Sequence, residues 1–598
     1  MKQFLKMFFA SLLAICFAVV MCSLFFALLL SMLIAMSEPQ PVVKANSVLV
    51  FDMSVAVQDR PVGQTGREFI DQAMGMPIAG AVSMRSLTEG IRLAATDSDI
   101  KALLLKGSFR VDGYSSGFAA LREVKEAIEA FSESGKPVYA YTYYPTARDL
   151  YVLSAVDTVY MNPEGLVADT GMSMSGMYLG GFMDKYGIGV QVTRAGEYKA
   201  AAESFVLEGM SEPAREANQA LLEDFWQEYL DTIAAGSDLE PGVYQEKLNE
   251  LGMLQASEAL ELGLVDELAH SHVLLEEMQR ISGEEEDGLS FTQTSMSAYL
   301  SAKVKPRYSS SGYVSVIYAE GPIVDGEGDP SEVGSDRFVR EIRKARLDED
   351  VKAIVLRVNS PGGSALASEM IQKELRLAQE AGKPLVVSMG TYAASGGYWI
   401  SAYADRIFAQ PNTLTGSIGV IGIFFNFEEI AGTHGVNFDT VKMTEHADLM
   451  DSFRAKTEEE MSLVQRQVDM VYDSFLNKVA QGRGLDVERV REIAGGRIWS
   501  GVDALDLGLV DELGGLNDAI AFAGREAGLG SEPTIQERPE PVDFFKQLSE
   551  SLAKQGASVN QELLKPVARL YGELNELGSR YNDPKGVYAI LPYEIEID

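Results

Sequence analysis

Glu349-Asp-Val-Lys-Ala-Ile-Val-Leu-Arg357 occurs a second time, slightly altered, as Ser98-Asp-Ile-Lys-Ala-Leu-Leu-Leu-Lys106. Each is a short apolar run opened by polar residues, the pattern of a buried strand. Outward from each run the likeness continues. A helix-spaced stretch ends in Gly135-Lys136-Pro137 after the first and in Gly382-Lys383-Pro384 after the second. Further on come Leu262-Gly-Leu-Val-Asp-Glu-Leu268 and Leu507-Gly-Leu-Val-Asp-Glu-Leu513. The offsets are 251, 247 and 245 residues, a drift that small loop insertions produce and chance does not. The chain is one fold written twice.

Each copy opens on a strand-like run, Val48-Leu-Val-Phe51 and Tyr313-Val-Ser-Val-Ile-Tyr318. In the first copy Leu121, Val124, Ile128 and Phe131 fall at helical spacing, and in the second Ile371, Leu375 and Ala378 do. A Gly closes each helix and another apolar strand follows, so the expectation is α/β, with two tandem βαβ repeats built on parallel sheets. The repeats are placed at 46–280 and 313–530. Between them, Glu284-Glu-Glu-Asp287 and Ser309-Ser-Ser-Gly312 mark a linker at 281–312. Pro539-Glu-Pro541 breaks structure again, and a tail at 531–598 is expected to be helical, with Leu548, Leu552, Leu563, Leu564, Val567, Leu570 and Leu574 packing on its own protein.

From Met7 to Met36 the chain carries no charge, and a helix of that length would reach about 45 Å, more than one hydrocarbon core. Leu33-Ile-Ala-Met-Ser37 ends the run without a small-x-small cleavage site, so 7–36 reads as one uncleaved transmembrane helix preceding the repeats. Lys2 and Lys6 lie before it, in a short tail at 1–6, and Glu38 after it. That asymmetry keeps the N-terminus in the cytoplasm and puts the repeats outside. Cys16 and Cys22 both fall within the span, so the repeats carry no disulfide. The 51 Lys plus Arg against 87 Asp plus Glu give a net charge of −36, which repels a phosphate backbone, and nucleic acid is not an expected partner.

Tyr392-Ala-Ala-Ser395-Gly-Gly-Tyr-Trp-Ile400 follows a buried strand and opens an apolar run, so Ser395 stands at a strand-to-helix turn, where a nucleophile belongs. Gly396 presents a backbone N–H beside it with no side chain to block a substrate. Arg357-Val-Asn-Ser-Pro-Gly-Gly363 ends the neighbouring strand, and Gly362 and Gly363 can complete an oxyanion hole. The serine needs a base. None of the four histidines, His270, His272, His434 and His446, has a context that points to it. A buried lysine serves instead, because desolvation leaves a neutral amine to take the hydroxyl proton. Lys199, set among small residues in Tyr198-Lys199-Ala-Ala-Ala202, is the candidate. Aligning the copies puts Ala147 opposite Ser395, and His446 with Ala447 opposite Lys199. Each copy lacks what the other supplies.

These motifs, with Thr415-Gly-Ser417-Ile-Gly and the repeated Gly-Leu-Val-Asp-Glu-Leu, closely resemble the long, duplicated form of the signal peptide peptidase A (protease IV) family, over nearly the whole chain. The resemblance implies two ClpP/crotonase-like repeats and a serine endopeptidase with Ser395 as nucleophile, Lys199 as general base and Ser417 orienting the lysine. It further implies a homotetramer in the bacterial inner membrane, catalytic on the periplasmic side, that degrades cleaved signal peptides and other unfolded apolar peptides. No cofactor is called for. Tyr392, Tyr398, Ile418, Val420 and Ile421 are expected to line apolar substrate pockets.

Two other classes compete. Crotonase-like folds host acyl-CoA chemistry, which an extracytoplasmic site disfavours; a catalytically inactive scaffold would not need the serine, the lysine and both glycine loops. Gly113-Tyr-Ser115-Ser-Gly117 matches a nucleophile-elbow pattern, but several residues separate it from the strand ending at Leu105. His270-Ser-His272 has no further ligands nearby in sequence, so no metal site is expected.

Overall fold

The computed structural model describes residues 42–61, 81–110, 117–235, 237, 239–283, 288–304, 311–539 and 587–590, together with Phe17 and Met21. Apart from Phe17 and Met21, the expected membrane span lies outside these residues, as do the leucines of the tail. Among the described residues no helix is long and apolar enough to cross a membrane.

The first copy runs β1 (Ser47–Asp52), α1 (Met84–Thr96), β2 (Ile100–Lys106), α2 (Phe118–Glu133), β3 (Val138–Thr142), α3 (Ala147–Leu153), β4 (Thr158–Met161), β5 (Gly189–Ala195), β6 (Glu267–Leu268) and β7 (Gln293–Ser295). The second runs β8 (Tyr313–Glu320), α4 (Ser335–Leu347), β9 (Val351–Ser360), β10 (Gly362–Ser364), α5 (Ala365–Glu380), β11 (Leu385–Ala394), α6 (Gly396–Ser401), β12 (Arg406–Ala409), β13 (Leu414–Gly416), β14 (Val420–Asn426), β15 (Glu512–Leu513) and β16 (Ile535–Arg538). The first sheet has the order β6-β4-β3-β2-β1-β7, and the second contains the same path, β15-β12-β11-β9-β8-β16, with parallel pairing along each. The repeat in the sequence is a repeat in topology.

The shared motifs make the same bonds in both copies. Lys136 Nζ donates to the carbonyls of Ala94 and Asp97 at the end of α1, and Lys383 Nζ to those of Ala345 and Asp348 at the end of α4. A cation there satisfies carbonyls that the helix cannot pair for itself. In the Gly-Leu-Val-Asp motif, Asp266 accepts from Val159 N and Asp511 from Ile407 N, each tying its segment to the adjacent strand. Leu121, Val124, Ile128 and Phe131 on α2, and Ile371, Leu375 and Ala378 on α5, are all buried against their sheets, as their spacing predicts.

Two boundaries need correction. The stretch expected to be a linker, 281–312, contains β7, parallel to β1, and the helix Met296–Lys303 with Met296 and Tyr299 buried. The outer side of β1 needs a paired strand, and this segment supplies it. Likewise β16, in the tail expected to be helical, pairs with β8. The tail contributes a second strand, β17 (Val587–Ile590).

The copies are joined by a third sheet. Strand β5 of the first copy runs antiparallel to β14 of the second, from Val420↔Ala195 to Asn426↔Gly189. This pairing brings Lys199, just beyond β5, to the end of the second sheet where Ser395 lies.

Candidate active site

Ser395 directly follows β11 and caps α6, with φ 58 and ψ −113. That conformation strains any residue with a Cβ, and such strain is concentrated where function over-determines the backbone. The first copy lacks it: α3 starts at Ala147, the residue opposite Ser395, and is capped by Thr146, whose side chain accepts from Asp149 N. Ser417 is a second non-glycine residue with positive φ, at 50.

Lys199 Nζ lies 2.7 Å from Ser395 Oγ and 2.9 Å from both Ser417 Oγ and the Ser417 carbonyl oxygen, so a neutral amine can donate its two N–H groups to Ser417 and turn its lone pair to the Ser395 hydroxyl. Ser395, Ser417 and Lys199 are all buried. The oxygens around the amine are neutral, and burial pushes the Lys199 pKa well below its ordinary value. An amine without its proton, in contact with a serine hydroxyl, is a general base in position. Ser417 holds it by two contacts that do not stabilise the ammonium as a carboxylate would.

Gly396 is the first residue of α6, next to Ser395. Gly362 and Gly363 form the start of β10. Gly363 has φ 153, and a Cβ there would sit 1.9 Å from the Ile323 carbonyl oxygen, so only glycine lets this loop approach the neighbouring strand. The Gly362 amide donates to Ser360 Oγ at 3.2 Å.

Strand β17 of the tail lies antiparallel between β10 and β14. Gly362 is registered with Ile590, Gly363 with Ala589 and Ser364 with Tyr588; on the other side Ile421 is registered with Tyr588 and Gly422 with Val587. The site therefore holds an extended chain segment paired on both edges, the geometry by which a peptide adds a strand. The sequence carried no signal for this, because four apolar residues name no pairing partner.

The five residues expected to line substrate pockets are placed differently. Tyr392 packs in the core of the first copy, and Tyr398 in the core of the second with its hydroxyl donating to the Leu509 carbonyl. Ile418 and Val420 join that second core, whereas Ile421 packs with Ala201 and Ala202 behind the lysine. These side chains support the site from beneath; the groove beside Ile421 is made by its backbone. The physical reason is that α6 lies between two packed layers, so the residue three after Ser395 points inward.

Ser115 lies outside the described residues. His270 and His272 stack on each other at 6.3 Å, and no group of side chains able to hold a metal is found among the described residues. His446, opposite Lys199 in the repeat alignment, lies in an irregular segment of the second copy.

Residues 130–283 and 377–530, one stretch in each copy, match peptidase family S49. The chain belongs to peptidase family S49. It is 35% identical to Protease 4 from Salmonella typhi over 91% of this chain and 90% of that one, and 33% identical to Protease 4 from Haemophilus influenzae over 87% of each. A plant relative, the chloroplastic serine protease SPPA of Arabidopsis thaliana, is 28% identical over 81% of this chain and 72% of its own. Membership makes this S49 chain a serine peptidase, and the two matched stretches coincide with the duplication seen in the sheets.

Proposed function

We propose that the chain is an endopeptidase that degrades cleaved signal peptides and other unfolded apolar peptides, working with a Ser395/Lys199 dyad on a ClpP/crotonase-like pair of repeats. The observation that carries this is the 2.7 Å contact between the buried Lys199 amine and Ser395 Oγ. In this reading Lys199 takes the hydroxyl proton as Ser395 Oγ attacks the peptide carbonyl carbon. Gly396 with Gly362 or Gly363 donates to the oxyanion, the C–N bond breaks, and Lys199 returns the proton to the leaving amine. Water, deprotonated by the same lysine, then frees the acyl group. The cradle of β17 between β10 and β14 supports extended peptides as substrates, since a folded protein cannot offer a free strand to two edges at once. An anchor at 7–36 would keep the groove on the periplasmic side of the inner membrane, where spent signal peptides are released. Competition between a signal-peptide apolar core and an acidic peptide of equal length tests the substrate class: preferential inhibition by the apolar peptide is expected, and equal inhibition rejects it.

The homotetramer belongs to the same proposal. Strands β5 and β14 pair within one chain, yet their counterparts, residues 436–442 of the second copy and 172–178 of the first, form no regular strand. Val441 and Met443 are 97% and 95% exposed and Met177 is 76% exposed. A second copy of the chain, repeating the internal pairing head to tail, would cover both segments and close a ring.

A further inference from the structure

The ladder between β9 and β11 breaks next to the active site. Val358 is registered with Met389, but Ser360 with Ala393, so β11 carries two extra residues within a bulge that ends just before Ala394 and Ser395. Bulges of this kind re-aim the chain that follows, and they leave backbone groups without ladder partners. Here the gap is bridged by side chains. Asn359 Oδ1 accepts from Tyr392 N at 3.1 Å, and Asn359 Nδ2 donates to Asp59 Oδ2 at 2.5 Å. Asp59 belongs to the first copy. Its other oxygen accepts from Arg357 Nε at 2.8 Å, and Arg357 Nη2 donates to Glu123, also of the first copy, at 2.5 Å.

Asp59, Arg357 and Asn359 are each 0% exposed. Gly390, in the bulge, leaves room for them: a Cβ there would lie 3.0 Å from both Asp59 Oδ2 and Asn359 Cγ. Burial works against the charge on Arg357, yet the Asp59 and Glu123 carboxylates hold its pKa above its ordinary value. The main-chain amides of Asp59 and Arg60 are in turn held by the Glu320 carboxylate of β8. A carboxylate of the first copy is thus fixed in place; it holds Arg357 and Asn359 at the end of β9, the strand that leads into Gly362 and Gly363, and through Asn359 it is linked to Tyr392 of β11, the strand that delivers Ser395.

We infer that Asp59 is a positioning residue for the peptidase reaction, setting the oxyanion loop and the nucleophile in register by holding Asn359 across the β11 bulge. Its carboxylate touches no reacting atom. Through Asn359 it fixes the distance between the Gly362–Gly363 amides and Ser395, so its loss should slow the chemical step and leave peptide binding to the β10 and β14 edges intact.

The test uses the full chain and a fluorogenic apolar peptide, with thermal unfolding to confirm that each variant is folded at the assay temperature. Asp59→Asn keeps shape and removes charge. It should lower kcat by about tenfold or more with KM within about twofold, as expected for a small misplacement of reacting groups. Asn359→Ala, which leaves the Asp59–Arg357 pair in place, should give a similar kcat loss. The double variant should be no slower than the slower single one, because both changes cut the same link. A folded Asp59→Asn enzyme with parental kcat, a loss confined to KM, or a double variant whose losses multiply would overturn the inference. If Asp59→Asn does not fold, Asn359→Ala decides alone, and parental kcat in it is the overturning result. Parental chain and Ser395→Ala, run alongside, separate this outcome from a failure of the dyad itself.

Discussion

Ser395→Ala removes the proposed nucleophile at a position where the other copy already carries Ala147, so it should abolish peptide hydrolysis and leave the unfolding transition in place. Peptide turnover and thermal unfolding, measured on one preparation, check both halves of that statement. Lys199 separates the same two properties more sharply. With its pKa pushed down by burial, the folded chain holds a neutral amine at pH values where the unfolded chain's lysine, near its ordinary value of about 10.4, still binds a proton. The unfolded state then takes up more protons, so stability rises with pH across that window. Lys199→Met should therefore raise Tm at neutral pH while eliminating activity, and the gain should shrink toward alkaline pH. A Tm below the parent's at neutral pH would contradict it. In the parent, kcat/KM should climb with pH and level off below the ordinary lysine range, and Lys199→Arg should not restore activity because guanidinium stays charged. The proximity of Ser395 and Lys199 was legible because each copy's gap is filled by the other. The Asp59–Asn359–Arg357 cluster was not: Asp59 lies about 300 residues from its partners, and nothing in its local sequence marks a buried charge.

Helices and the repeated strands were readable because their periodicity and the doubled motifs are local, and α2 illustrates how much they carry. Ile128→Ala on α2 removes a fully buried side chain and should cost about 2–5 kcal/mol in denaturant unfolding, the usual range for such a cavity. Short edge strands such as β7 and β16 escaped notice because three or four residues show no period, and only the sheet they complete gives them a reason to be extended. Strand β17 lies between the edges of β10 and β14. Since it fills the edges proposed for a substrate strand, ending the chain before Val587 should raise kcat/KM for short peptides, chiefly through a lower KM. Equal KM for the shortened and full chains would mean that β17 does not compete.

For the whole molecule, the pairing of β5 with β14 is both the seam between the copies and the template for the proposed ring. Val441→Glu and Met443→Glu place charge on exposed apolar positions of that second edge, and sedimentation should show a smaller species than the parent. An unchanged sedimentation coefficient would remove this edge from the assembly. The same seam has a genetic consequence. Because the lysine arrives with one half and the serine with the other, a gene divided between Val304 and Ser311 would encode two polypeptides, neither able to cut a peptide bond alone. Expressed together they should complement, with β5 and β14 as the adhesive, so that hydrolysis reports on their encounter like a two-key lock.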